Sequence, residues 1–193
     1  MMTDPPFVLT KPGIEADGSL VDIFARKEAE RVAGRNIFWW GIGSSLGPAV
    51  CKAAQDAGGK LPVVFALNTR PSRPKEHDVS PARVFRWTKW QDWNGSIRDV
   101  PAFARVTSRG HKLKRAHYAL VCYSEKPITF DLNGPAFDPS LCRTALAKRP
   151  GSSQVTALVW GDLNAADHNR GQYRIAFRAT LISPWQAKLV SYR

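Results

Sequence analysis

Apolar residues follow helical spacing early in the chain and strand spacing through most of the rest. In "SLVDIFARKEAERVAG", Leu20, Ile23, Phe24 and Val32 form one apolar stripe. Ser19 can cap that helix, with Asp22 three residues on, and Gly34 can end it. The β-branched and aromatic run Ile37–Gly41 predicts a buried strand. Pro48 suits the first turn of a helix over Pro48–Ala57, which Gly58 and Gly59 stop, and Leu61–Asn68 reads as the next strand. These three elements form a single strand, helix, strand passage.

Residues 1–18 carry Pro5, Pro6, Pro12, Gly13 and Gly18 and are expected to be an irregular arm before the fold. "TRPSRPKEHDVSP" is expected to be an extended excursion, because its prolines oppose a helix. Strands are expected at Arg83–Trp90, Ala116–Ser124, Val155–Trp160, Gln172–Ile182 and Ala187–Tyr192, with a short helix at Pro139–Ala147. A doubly wound sheet needs helices that keep alternating with strands, which this order lacks. The expected fold is therefore one α+β domain over residues 19–193, with a mixed curved sheet or small barrel and flanking helices.

Charge changes the picture more than composition does. At 193 residues, 44% apolar and 23% charged, the chain has the balance of one globular domain. Its 28 Lys and Arg against 16 Asp and Glu give a net +12, a surface that attracts polyanions. The excess is uneven: residues 1–30 carry a net −3, so the remainder carries +15. Cys51, Cys122 and Cys142 are odd in number, widely spaced and never in a C-x-x-C pair, which suggests neither a disulfide framework nor a zinc knuckle and fits a reducing compartment. With no leader pattern and no long apolar run, the expectation is a cytoplasmic, soluble protein without a membrane partner.

Three features carry candidate chemistry. Gly41, Gly43 and Gly47 give G-x-G-x-x-x-G, one residue longer than a dinucleotide fingerprint, and the next strand ends in Asn68 with no acid for a ribose. The Gly43, Ser44, Ser45 loop before a helix is either an anion site for one phosphate or a tight strand-to-helix turn. In "VFRWTKWQDWNG", Trp87, Trp90 and Trp93 recur every third residue, and a turn near Asp92 and Asn94 must fold the last of them back. They either close the core or offer flat faces on which bases stack.

The third feature is basic. Between Asp99 and Glu125 there is no acid, while Arg105, Arg109, Lys112, Lys114 and Arg115 contribute five positive charges. Arg70, Arg73 and Lys75 can extend that surface, and Arg170, Arg174, Arg178, Lys188 and Arg193 form another acid-free set. Such segments hold a nucleic-acid backbone without reading its sequence. Asp162, Asp167 and His168 have metal-ligand chemistry but also turn composition, and neither a zinc-deaminase nor a metalloprotease motif occurs. No cofactor and no metal are expected.

An apolar-aromatic first strand, a polar loop into a helix, and following strands rich in Trp and basic residues together resemble the PUA-like superfamily, with its EVE, YTH and ASCH domains. The resemblance covers roughly 37–130. It implies a small mixed barrel with a pocket for a nucleobase, often a modified one, beside a basic groove. The pocket candidates are then Trp39, Trp40, Ser44, Ser45, Trp87, Trp90, Asp92, Trp93 and Asn94. The expected function is nucleic-acid binding, to DNA or RNA. The alternative is an enzyme of nucleotide or base modification that uses the Gly-Ser loop as its phosphate site.

Overall fold

The computed structural model describes residues 5–12, 20–68, 83–110, 116–131, 133–137, 143–144, 156–161, 163 and 173–193. In chain order these residues form β1 (Pro6–Thr10), α1 (Leu20–Ala33), β2 (Ile37–Ile42), α2 (Pro48–Asp56), β3 (Leu61–Asn68) and β4 (Arg83–Gln91). Then follow β5 (Ile97–Asp99), β6 (Thr107–Gly110), β7 (His117–Tyr123), β8 (Ala136–Phe137), β9 (Arg143–Thr144), β10 (Thr156–Trp160) and β11 (Tyr173–Tyr192). The result is a mixed α and β fold, mostly strands in an open sheet, with two helices. No helix among the described residues is long and apolar enough to cross a membrane.

The sheet runs β2-β7-β11-β3-β1-β10-β9. Its spine is β11, whose Tyr173–Leu181 half pairs with β3 and whose Lys188–Tyr192 half pairs with β4. Across the spine, β7 pairs with Thr180 and Leu181 and again from Gln186 to Leu189, skipping an irregular stretch that contains Trp185 at φ 62°. The two strands expected at the C-terminal end are thus one strand with a bulge. β2 and β3 are separated by β7 and β11, so the strand, helix, strand passage is not a parallel βαβ unit. The parallel pairing among the described residues is instead β1 with β3.

Alternation along each strand fills both faces. Phe38, Trp40, Phe65, Leu120 and Phe177 meet Phe24 of α1 and Val50 of α2 in one core. Phe65 stacks on Phe177 at 4.0 Å between centroids. On the reverse face, Phe7, Leu9, Val64, Val159 and Ile175 form a second cluster. Trp39, Trp87, Trp90, Val121 and Leu189 form a third.

Three expectations are corrected. Pro6–Thr10 is not an irregular arm: it is β1, with Phe7, Val8 and Leu9 buried, and its proline stands at the first strand residue, where a missing N–H is tolerated. Val32 is exposed, because the inward stripe of α1 runs Ile23, Phe24, Lys27, Glu30 and Arg31. Within the segment expected as a helix at Pro139–Ala147, the described residues Arg143–Thr144 form β9 on β10. The excursion at 69–82 lies outside the described residues.

Candidate functional site

Four of the five pocket tryptophans are core residues. Trp39 and Trp40 are neighbours on β2 and therefore point to opposite faces, into two different clusters. Trp87 and Trp90 are three apart, a spacing that would oppose them on a regular strand. The pairing with β11 shifts register between Leu189 and Ser191 and again at Tyr192, which turns both indoles inward. Trp39 meets Trp90 edge-on at 5.5 Å, and the Trp90 Nε1–H donates to the Asp99 carbonyl at 3.2 Å. No face of these rings is left for a base, so the aromatic pocket built on Trp39, Trp40, Trp87 and Trp90 is a packed interior.

Trp93 differs. It is 66% exposed at the tip of the β4–β5 hairpin. Asp92 shapes that tip: its Oδ1 accepts the Asn94 and Ser96 N–H groups at 2.9 Å each, and its carbonyl accepts the Gly95 N–H at 3.0 Å, with Gly95 at φ 87°. Asp92 and Asn94 are thus turn residues. Beside the tip stand Ile97, also exposed, and Arg98, 3.5 Å from Asp92 Oδ2.

The Gly-Ser loop is tied to β11 and to itself at its C-terminal half. Gln186 of β11 accepts the Leu46 N–H through Oε1 at 2.6 Å, and its Nε2 donates to Ser45 Oγ at 3.2 Å. Ser45 Oγ also accepts the Gly47 N–H at 2.9 Å. The loop donors at Leu46 and Gly47 therefore already have acceptors, and Pro48 has no N–H to offer. Gly47, at φ 73°, supplies the backbone geometry of the turn, while Ser44, Ser45 and Gly43 are exposed. The turn is thus held by its own contacts at Leu46 and Gly47, while α2 begins without a side-chain cap.

The basic residues converge elsewhere, on β4, β6 and β11. Arg86 and Arg193 exchange both backbone hydrogen bonds at 3.0 Å, an antiparallel pair that puts their side chains on one face. That face is the outer one, since the adjacent Trp87 points inward. Thr107 lies opposite Arg86 on β6, and Val84 lies opposite Arg109. The carboxylates of residues 83–110 are engaged away from this row: Asp99 holds Lys89 at 2.9 Å and Asp92 holds the turn. Among the described residues, Arg86 and Arg193 have no carboxylate partner.

Beneath the row, the Trp87 Nε1–H donates to Ser108 Oγ at 2.8 Å, and Ser108 Oγ meets His117 Nδ1 at 3.2 Å. With the indole donating to the hydroxyl oxygen, the Ser108 O–H can donate a hydrogen bond to an unprotonated Nδ1. Burial pushes the His117 pKa down, which agrees with a neutral ring.

A groove of about 450 Å³ lies between α2 and the start of β1, lined by Pro5, Pro6, Ala53, Ala57 and Trp160, with the Lys52–Asp56 ion pair beside it. Arg70, Arg73, Lys75, Lys112, Lys114 and Arg115 lie outside the described residues, as do Asp162, Asp167 and His168. Ile97 and Arg98 were not among the sequence candidates. The readable signal was the Val84-x-Arg86 alternation facing an acid-free C-terminal strand. No protein-family model matches this chain, and no curated protein or solved structure is significantly similar to it.

Proposed function

We propose that the chain binds nucleic acid, DNA or RNA, through phosphate contacts along the outer face of β4, β6 and β11. The observation that carries this reading is the Arg86–Arg193 pair. Like charges directly opposite on neighbouring strands repel, and an anion between them relieves the repulsion. Two guanidinium forks match phosphate oxygens better than two ammonium groups would. Lys188, exposed on β11, adds a further cation, and the sequence holds no acid between Asp99 and Glu125.

A nucleic-acid ligand is also what the resemblance of the sequence pattern over 37–130 to PUA-like domains implies. The burial of Trp39, Trp40, Trp87 and Trp90 speaks against the modified-base pocket that the resemblance implies at those rings. The reading is tested by titrating a labelled oligonucleotide at several salt concentrations. Affinity should fall steeply as salt rises, with a log–log slope that reports the number of neutralised phosphates. Absence of binding at low salt would remove the proposal.

A further inference from the structure

The nucleic-acid reading can be taken further at the β4–β5 hairpin. We infer that the ligand is bound as a single strand, with an unpaired base stacked on Trp93. The inference rests on that reading and narrows it to unpaired nucleotides.

Trp93 stands apart from the other indoles: Trp39, Trp40, Trp87, Trp90 and Trp185 are buried and Trp160 is half-buried. Its exposure is not that of a loose loop. The Asp92 side chain, the Gly95 N–H and the Gln91 side chain, which donates to the Gly95 carbonyl at 3.2 Å, tie the tip to its own strands. A tip held this way presents the ring without an ordering cost at the moment of binding. Ile97, 60% exposed and paired opposite Gln91, adds a second apolar contact. Lys89 and Arg98 on the same hairpin are matched by Asp99 and Asp92, so the tip carries no net charge, and the cations for a ligand's backbone stand on the Arg86–Arg193 row.

That combination fits one ligand chemistry: flat apolar faces strung on an anionic backbone. In a duplex the faces are already covered by neighbouring bases, and a ring on a short hairpin tip reaches them only by unstacking a step. An unpaired base offers its face directly, and stacking tolerates any sequence. Arg86 lies five residues before Gln91, roughly 17 Å along the strand. Phosphates at the Arg86–Arg193 row and a base on Trp93 therefore belong to one strand a few nucleotides long.

The test compares single-stranded and duplex forms of one mixed-sequence oligonucleotide at one low salt concentration, with the full chain and its Trp93→Ala and Trp93→Phe variants. The expected result is tighter binding of the single strand, with Trp emission quenched on binding. Trp93→Ala should weaken single-strand binding by about five- to a hundredfold and leave duplex binding nearly unchanged, while Trp93→Phe keeps most of the affinity. Unchanged melting of Trp93→Ala would tie the loss to the ring. Equal affinity for both forms, insensitive to Trp93→Ala, overturns the stacking role and leaves the phosphate-binding reading standing. Binding of neither form at low salt overturns both. A shift of Trp emission with anionic phosphatidylserine vesicles but not with the single strand assigns the tip to a membrane surface and overturns the inference.

Discussion

Lys27 and Glu30 close on one residue of the edge strand: Glu30 Oε1 accepts the Trp39 N–H at 2.7 Å while Lys27 Nζ donates to the Trp39 carbonyl and to Glu30 Oε2. β2 pairs with β7 on one side, and this helix-borne pair satisfies polar groups on its other side. Both side chains are buried. Glu30→Ala strands the ammonium and leaves the Trp39 N–H without an acceptor, so unfolding free energy should fall by about 3–5 kcal/mol in urea denaturation. A loss no larger than the ~0.5 kcal/mol of a surface change would remove this account of the edge.

The tryptophan assignments separate by stability. Trp90 is buried against Trp39, and Trp90→Ala should cost about 3–5 kcal/mol. Trp93 touches solvent, and Trp93→Ala should stay within ~0.5 kcal/mol of the parent. Denaturation midpoints of the two variants, measured side by side, check this; equal losses would contradict the burial of one ring and the exposure of the other.

His117 gives a pH dependence with a definite sign. Burial lowers its folded pKa below the ordinary 6.5, so on acidification the unfolded chain takes up this proton first. Stability should decline as pH falls below about 6.5 and level off once the lower folded value is passed. Melting temperatures across pH 8 to 5 should therefore show a smaller decline for His117→Gln than for the parent. Parallel profiles would mean that His117 titrates alike in both states.

Gly34 ends α1 where there is no room for a side chain. A Cβ there would run into the Ile37 carbonyl oxygen and come within 2.7 Å of the Phe103 ring. The carbonyl is backbone and cannot swing aside as a side chain would. Gly34→Ala should therefore destabilise by about 1–3 kcal/mol, measured by thermal or urea unfolding. A neutral substitution would mean that the α1–β2 corner can open.

How much of this was legible beforehand depended on whether local pattern or distant pairing decided the outcome. The strand runs at Ile37–Gly41 and Leu61–Asn68 and the helix at Pro48 are local signals, and they stand within a residue or two of the observed elements. β1 was hidden because two prolines preceding a short apolar run look like an arm, and only its pairing with β3 and β10 makes it a strand. The inner face of α1 was hidden because Lys27, Glu30 and Arg31 carry charge where periodicity expects apolar residues. Arg31 reaches Glu28 at 2.7 Å, with Glu28 accepting the Ile128 N–H from across the fold. At the site, "QDWNG" was enough to put Trp93 on a polar turn. The burial of Trp87 and Trp90 on one face came from a register shift against β11, which no spacing within β4 encodes.

The Arg86–Arg193 pair yields a prediction in which stability and binding move in opposite directions. The two residues are held opposite each other by their backbones, so the side chains cannot separate by more than rotamer changes allow. In the free protein their charges repel. Replacing Arg86 with Gln should therefore stabilise the free protein by about 0.2–1 kcal/mol at low salt, with the gain fading as salt screens the pair. The same change removes a phosphate contact, so affinity for an oligonucleotide should drop and the salt slope should flatten by about one unit. Melting curves without ligand and salt titrations with it, on one preparation of the variant, read both effects. A variant that melts lower and binds as before would show the arginine to be structural, and the phosphate row would lose its central member.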